Sequence, residues 1–329
     1  FSKELNVSGT SHVGLFCNTM ESGASLTATY TKDSGAGNIS VKTTLSNNDA
    51  GGFVGHMETN TSLTIAGTSV DKVSAASGNA GGIVGSATDG TISLKTETAD
   101  GTNDPTTFTF ADELTLSAGN EKAVGGLIGA YSVTSERNGT TINFNLSQYQ
   151  FKSIKVTGGK DVGGLFGALT NTSITSTKVI VSGKTTFAIT TNVPNESEVT
   201  NLGGLIGTYD TVKSTDTTSA EVMKNTLAIK GESNTDGSFI AAVTTGGSKA
   251  NTTYGGAIGA VSGSSYVEIE NVSASIADMK NSDKTSVGGL VGKMNDGFLN
   301  VGSVKLATTN GNDLGKAAEK NKTDADNVE

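Results

Sequence analysis

Short stretches of alternating apolar and polar residues recur along the chain. In Thr91–Lys95, for example, the apolar Ile92 and Leu94 alternate with polar residues. Because successive side chains of a strand point to opposite faces, each such stretch predicts a β-strand with one apolar and one polar face. The same alternation occurs at Leu26 and Ala28, at Leu63 and Ile65, at Ile142, Phe144 and Leu146, and at Val267 and Ile269.

A further, less regular strand is predicted in several repeats, at Ile39–Val41, Leu114–Leu116 and Ile154–Val156. Apolar residues at the helical spacing of i, i+3 and i+4 are almost missing, and Thr, Val, Ile and Gly dominate. Both features indicate strands rather than helices. The sequence therefore predicts an all-β protein with about three strands in each repeat.

Between the strands the chain repeats one phrase, Gly-Gly-apolar-apolar-Gly. Complete copies begin at Gly51, Gly81, Gly125, Gly163, Gly203, Gly255 and Gly288, and a degenerate copy, VGLFC, begins at Val13. The interval between copies varies from 30 residues (Gly51 to Gly81) to 52 residues (Gly203 to Gly255). Helical repeats keep a nearly constant length, whereas the loops of a β-solenoid can lengthen while its strands stay stacked.

These repeats predict a single right-handed parallel β-helix, or β-solenoid, of about eight coils with loop insertions. The handedness follows from the general preference of parallel crossovers. We assign residues 1–310 to the solenoid domain and residues 311–329, which are charged and rich in Ala and Asn, to a C-terminal linker or tail.

The glycine phrase allows two orientations, as the copy at Gly125 illustrates. Its apolar residues Leu127 and Ile128 are adjacent, so on a straight strand they would point to opposite faces. We favour an interior face formed by Gly125, Leu127, Gly129 and Tyr131, because the residue aligned with Tyr131 is apolar in most copies. The alternative is a bend at the glycines that turns both apolar residues inward.

Polar insertions account for the long intervals and predict surface loops at 100–107, 191–198, 211–219, 231–238 and 244–252. We expect a ligand to contact the loops at 211–219 and 231–252, or one outer wall of the solenoid.

Composition narrows the possible functions. Apolar residues make up 34% of the chain, which suits a narrow core, and their register with the repeat argues against disorder. The net charge is −9 and no Lys/Arg cluster stands out in the sequence, so nucleic-acid binding is not indicated. No apolar run is long enough to span a membrane.

Because Phe1 is not an initiator Met and no signal peptide is visible, we expect a piece of a longer protein.

Few residues are candidates for chemistry. His12 and His56 are the only histidines, and the sequence contains no Cys/His cluster, H-E-x-x-H or G-x-S-x-G motif. Glu268 and Glu270, on the polar face of one strand, are the best carboxylate pair for attack on a polysaccharide, although a solvated surface is the ordinary interpretation. The single cysteine, Cys17, occupies the third-glycine position of the degenerate phrase, where we expect a small buried residue. We therefore predict no catalytic residue, no cofactor and no metal ligand.

The glycine phrases, each followed by a turn and a T-x-I-x-apolar strand, resemble the GLUG-type repeats of large bacterial surface proteins over residues 12–306. Such proteins include peptidases and adhesins with β-solenoid stalks. The resemblance implies a secreted or surface-displayed scaffold and carries no catalytic residue onto this chain.

The sequence therefore favours a non-catalytic, surface-displayed adhesin or stalk segment that belongs to a longer surface protein. A carbohydrate-active β-helix enzyme, either a polysaccharide lyase or a hydrolase, is the alternative. Ice binding is third, because the outward residue pairs are too mixed for a regular lattice: Ser62/Thr64, Thr91/Ser93, Asn143/Asn145, Ser173/Thr175 and Glu268/Glu270. A host or extracellular protein is favoured over a glycan as the partner, because the chain has no Trp to stack on sugars.

Overall fold

The computed structural model describes residues 4–30, 32, 37–95, 108–134, 140–146, 149–150, 153–173, 177–183, 187–193, 199–211, 225–231, 239–245, 252–276 and 286–308. Within these ranges the chain forms 34 β-strands and no α-helix.

The strands of the first half are β1 (Leu5–Gly9), β2 (Cys17–Met20), β3 (Ser25–Tyr30), β4 (Ile39–Thr43), β5 (Ala50–Gly51), β6 (Val54–Met57), β7 (Ser62–Gly67), β8 (Lys72–Ser74), β9 (Ala80–Gly81), β10 (Val84–Thr88), β11 (Thr91–Lys95), β12 (Phe108–Thr109), β13 (Leu114–Ser117), β14 (Ala123–Gly125), β15 (Ile128–Val133), β16 (Thr141–Asn145) and β17 (Tyr149–Gln150). Those of the second half are β18 (Ile154–Val156), β19 (Asp161–Gly163), β20 (Phe166–Asn171), β21 (Thr177–Gly183), β22 (Phe187–Val193), β23 (Asn201–Gly203), β24 (Ile206–Thr211), β25 (Asn225–Gly231), β26 (Phe239–Thr245), β27 (Thr253–Gly255), β28 (Ile258–Ser262), β29 (Tyr266–Glu270), β30 (Val272–Ile276), β31 (Ser286–Gly288), β32 (Val291–Met294), β33 (Phe298–Val301) and β34 (Val304–Thr308).

Nearly all of these strands belong to five parallel sheets, in each of which the strands are ordered as they are in the chain. Sheet A contains β1, β4, β8, β13, β18, β22, β26, β30 and β34; sheet B contains β5, β9, β14, β19, β23, β27 and β31; and sheet C contains β2, β6, β10, β15, β20, β24, β28 and β32. Sheet D contains β3, β7 and β11, sheet E contains β16, β21, β25, β29 and β33, and β12 pairs with β17. Every strand pairing among the described residues is parallel.

The repeats visit sheets A, B and C in this order and then add a fourth strand, which belongs to sheet D in the early repeats (β3, β7 and β11) and to sheet E in the later ones. The repeat that begins at β13 is an example. The chain runs through β13 in sheet A, β14 in sheet B, β15 in sheet C and β16 in sheet E, and then returns to sheet A at β18. The all-β class and the parallel pairing are therefore confirmed, and both are consistent with a β-helix. We predicted about three strands in each repeat, whereas this repeat has four, β13 to β16. The difference arises because the glycine phrase contains the end of one strand and the start of the next.

The alternating stretches form strands as predicted, and their apolar residues face the core. Leu63 and Ile65 of β7 are fully buried, and Leu63 pairs in register with Leu26 of β3 and with Ile92 of β11. Val267 and Ile269 of β29 are buried in the same way. One outward residue was wrongly predicted: Ser173 is buried, and the strand of that repeat is β21, which begins at Thr177.

The glycine phrase is a corner between sheet B and sheet C. In the copy at Gly125, this glycine ends β14, Ile128 begins β15, and Leu127 lies in the bend between them. Leu127 and Ile128 are both fully buried. The favoured interior face, with Ile128 pointing outward, is therefore wrong, and the bend that turns both apolar residues inward is correct.

These corners need glycine because backbone approaches backbone, not because of an unusual φ angle. None of the phrase glycines, all of which lie in described residues, has a positive φ. A Cβ atom on Gly126 would collide with the carbonyl oxygen of Gly164 in the next repeat and with the side chain of Ile154. The third glycine, Gly129, lies against the backbone of Gly85 and Ala80 in the preceding repeat. A side chain at any of these positions would push neighbouring repeats apart.

The degenerate first phrase is shifted by one residue from its predicted alignment. Cys17 pairs with Val54, so the residue that aligns with the third glycine, Gly55, is Asn18. Cys17 is half-buried, and its Sγ donates a hydrogen bond to the carbonyl of Thr19 at 3.0 Å. The prediction of a small buried residue at the glycine position is therefore wrong for Cys17.

Four predicted loops begin inside strands. Residues 191–193 belong to β22 and residues 244–245 to β26, both of which lie in sheet A, and residues 211 and 231 are the last residues of β24 and β25. Most of the remaining predicted loop residues, and the predicted tail at 311–329, lie outside the described residues.

The corner geometry makes a direct prediction for stability. The substitution Gly126→Val should lower the free energy of unfolding by at least about 3 kcal/mol, because the new side chain has no space between neighbouring repeats. The matched control is Gly302→Val, at an exposed position where a Cβ atom would first meet the flexible side chain of Glu270 at 3.0 Å. That variant should lose less than about 1 kcal/mol. Equal losses in thermal melts of the two variants would contradict the account of the corners.

Candidate functional site

A groove of about 310 Å³ crosses the outer face of sheet A at β1, β4 and β8. Its polar lining comes from Asn6, Ser8, Ser40, Lys42, Lys72 and Ser74. These side chains point outward because they alternate along the strands with inward residues such as Val41 and Val73, which are fully buried. The strands thus hold six polar side chains on one fixed surface.

The parallel register brings lysines together at this groove. Lys72 pairs with Thr115, which pairs with Lys155, so Lys72 and Lys155 lie in one row two strands apart. This corresponds to a distance of about 10 Å between their backbones. Lys42 lies on the strand that precedes Lys72, two residues further along, opposite Ser74. The three ammonium groups therefore share one outer face.

These three lysines are not neutralised by described residues. Lys42, Lys72 and Lys155 are exposed, and no ion pair or hydrogen bond between described residues involves their ammonium groups. By contrast, Lys32 donates two hydrogen bonds to Asp71, at 2.8 and 2.9 Å. The sequence did not reveal this cluster, because its members are separated by 30 residues (Lys42 to Lys72) and 83 residues (Lys72 to Lys155).

The two histidines also meet, although they occupy different positions of the repeat. Their rings stack with centroids 5.1 Å apart. His12 Nδ1 accepts a hydrogen bond from the backbone N–H of Asp49 at 3.0 Å, and His56 Nδ1 lies 2.6 Å from Ser86 Oγ. The carboxylate of Asp49 accepts from Ser86 Oγ at 2.5 Å and from Asn79 Nδ2 at 2.9 Å. One network therefore joins three successive repeats.

The directions of these hydrogen bonds differ from those of a nucleophile–base pair. A carboxylate only accepts, so the Ser86 hydroxyl donates its proton to Asp49 and accepts from the Nδ1–H of His56. An activated serine would instead donate to an unprotonated ring nitrogen. Because the Ser86 proton is directed at Asp49, the contacts of this network are those of a structural bridge between repeats.

Burial is the main cause that lowers the pKa of His56, and the neighbouring His12 ring lowers it further. The charges of Asp49 and Glu58 oppose this shift without overcoming it. His56 is therefore held in the neutral form that donates through Nδ1 to Ser86.

A second bridge repeats the same pattern in the middle of the chain. Asp161 Oδ1 accepts from Asn201 Nδ2 at 2.6 Å and from Thr208 Oγ1 at 2.7 Å. As in the first bridge, an aspartate two residues before one glycine phrase contacts an asparagine two residues before the next phrase and a hydroxyl one residue after it. The spacing D-x-G-G followed by N-x-G-G-x-x-G-[ST] is the sequence signal that would have revealed these neighbours.

The predicted carboxylate pair is part of an ion-pair network on the outer face of sheet E. Glu268 lies 3.1 Å from Lys230 Nζ and 3.5 Å from Lys178 Nζ, and Glu270 lies 3.9 Å from Lys230. Burial raises the pKa of Glu268, but the hydrogen bonds and charges of Lys230 and Lys178 outweigh it and hold the pKa below its usual value. A catalytic acid for glycoside cleavage needs a raised pKa, so this environment suits an ion pair better than an acid.

Within the described ranges, no group of three or more His, Cys, Asp or Glu side chains is arranged to hold a metal ion. The same residues include no helix that is long and apolar enough to cross a membrane. Most of the loops expected to contact a ligand, at 211–219 and 231–252, lie outside the described residues.

Comparison of the chain with protein-family models, with curated proteins and with solved structures found no match.

The histidine network predicts how stability depends on pH. Because the folded protein lowers the pKa of His56, the unfolded chain binds the proton more readily, and stability is lost as pH falls below the ordinary value of about 6.5. We expect the melting temperature to fall by a few degrees between pH 7.5 and pH 5. The variant His56→Gln, which can still donate to Ser86, should lose much of this dependence. A variant with the same pH profile as the unchanged protein would contradict the role of His56.

Proposed function

We propose that this chain is a non-catalytic segment of an adhesin or stalk, displayed on a bacterial surface or secreted, that binds an extracellular partner. In this proposal it forms part of a longer surface protein. The resemblance of its glycine phrases to GLUG-type repeats supports the extracellular location.

The proposed architecture is a single right-handed solenoid of about eight coils. Support comes from sheets A, B and C, in each of which the strands follow the chain order and pair in parallel. A stack of this kind holds its outer side chains at fixed intervals of about 4.8 Å from one coil to the next. It would therefore serve both as a spacer and as a rigid recognition surface.

The observation that carries the binding function is the groove on sheet A. It combines a volume of about 310 Å³ with hydroxyl, amide and ammonium groups on rigid strands. Its size lies at the lower end of the range for ligand sites, and its exposed lysines are available to a partner. This surface favours recognition by contact over chemistry, because its lining contains no His, Cys, Asp or Glu side chain.

The groups that a catalytic hypothesis would use have other hydrogen-bond or ion-pair partners. Ser86 donates to Asp49, and Glu268 is paired with Lys178 and Lys230. These contacts support the non-catalytic proposal over the polysaccharide lyase or hydrolase.

A panel screen tests this proposal. The whole chain would be immobilised and exposed to extracellular matrix proteins, immunoglobulins and a set of glycans, with a polysaccharide-cleavage assay run on the same glycans. We expect saturable binding to at least one member and no increase in reducing ends.

Two outcomes would contradict the proposal. Cleavage that is lost in Glu268→Gln or in Ser86→Ala, but kept in the surface control Lys293→Gln, would identify an enzyme. The absence of binding to every member of the panel would count against a recognition surface.

A further inference from the structure

We propose that the groove on sheet A binds a linear anionic polysaccharide, a sugar chain that carries carboxylate or sulfate groups. This inference rests on the proposed binding function and specifies its ligand. It assigns the anionic groups to Lys42 and Lys72 of the groove and to Lys155, two strands beyond Lys72 on the same face, and the sugar hydroxyls to the neighbouring serine, threonine and asparagine side chains.

The outer face of sheet A carries a cluster of positive charge, although the protein as a whole is acidic. The chain has a net charge of −9, yet three exposed lysines share one outer face with no carboxylate paired to them among the described residues. The outer face of sheet E provides the contrast, because its Lys178 and Lys230 are both paired with Glu268. An anionic ligand at sheet E would have to displace a carboxylate, whereas at sheet A it would meet ammonium groups that form no ion pair with a described residue.

The spacing of the charges favours a polysaccharide over a nucleic acid. Lys72 and Lys155 are two strands apart, which corresponds to about 10 Å. A nucleic acid carries one phosphate for every 3.4 Å or so of each strand, so most of its charges would lack a partner here. A polysaccharide with one acidic group in every second sugar has a charge interval much closer to that of the lysines.

The groups between the lysines fit sugar hydroxyls. Ser40 and Thr115 flank Lys72 in its row, and Ser74 lies opposite Lys42. Hydroxyl groups both donate and accept hydrogen bonds, as sugar hydroxyls do. From the sequence we favoured a protein partner, because the chain has no Trp to stack on sugar rings. Binding through ion pairs and hydroxyl hydrogen bonds does not require such stacking.

Binding of the unchanged protein to hyaluronate, which has one carboxylate in each disaccharide, would be compared with binding to heparin, neutral dextran and single-stranded DNA. We expect binding to hyaluronate or heparin that weakens as salt rises, and at least tenfold weaker binding to dextran and DNA. Hyaluronate carries carboxylates only, whereas heparin carries both carboxylates and sulfates. Binding to heparin without binding to hyaluronate would therefore show that sulfate is required, and binding to either one supports the proposal.

The decisive comparison uses two triple variants with the same change in net charge. Lys42→Gln/Lys72→Gln/Lys155→Gln removes the three lysines of the sheet A face, and Lys178→Gln/Lys230→Gln/Lys293→Gln removes three lysines elsewhere. The first should lose at least tenfold in affinity for the anionic polysaccharide, and the second should stay within about twofold of the unchanged protein, with circular dichroism confirming that both are folded.

Three outcomes would overturn the inference: no binding to either anionic polysaccharide, equal losses in the two triple variants, or DNA bound as tightly as the polysaccharide. If the panel screen still finds a protein partner whose binding survives the groove substitutions, the proposed function stands and the assignment of the groove fails. If no partner of any class binds, both fail.

Discussion

The direct contact of backbone with backbone at each glycine corner is the constraint on which the rest of the structure depends. The third glycine of a phrase lies against a sheet B strand of the preceding repeat, as Gly167 does against Val124 and Gly207 against Val162. No side chain fits between the two sheets at these points. The bend that results turns two successive apolar residues inward. Each corner therefore buries two apolar side chains, although its glycines contribute none.

The same corners decide which polar residues become neighbours. A residue just before one phrase meets residues just before and just after the next phrase, which places Asp49 beside Asn79 and Ser86, and Asp161 beside Asn201 and Thr208. Polar groups near the corners are thereby satisfied between repeats and stabilise the stacking. The outer face of sheet A carries Lys42, Lys72 and Lys155, which make no ion pair with other described residues.

Period-two alternation identified most of the long strands. An apolar residue between two polar ones, such as Leu63, lies on the buried face of a straight strand. The corners could not be predicted in this way, since alternation assumes a straight strand and Ile128 follows a bend. The alignment of Cys17 failed for a related reason: the first phrase lacks the glycine pair that fixes its register. The lysine cluster on sheet A could not be predicted, because Lys72 and Lys155 come into one row, two strands apart, only when two repeats of unequal length are stacked.

The in-register parallel stacking of successive repeats is the central claim, and disulfide formation tests it most directly. In a Cys17→Ser background, Ala130→Cys and Ala168→Cys lie opposite each other on neighbouring strands of sheet C. Their Cα atoms should be about 4.8 Å apart, within the range of a disulfide. Thr170 is two residues further along the second strand, so Ala130→Cys with Thr170→Cys places the Cα atoms about 8 Å apart, beyond that range. In-register stacking predicts rapid, complete oxidation of the first pair and none of the second under the same mild oxidant. Efficient cross-linking of the second pair, or failure of the first, would contradict it.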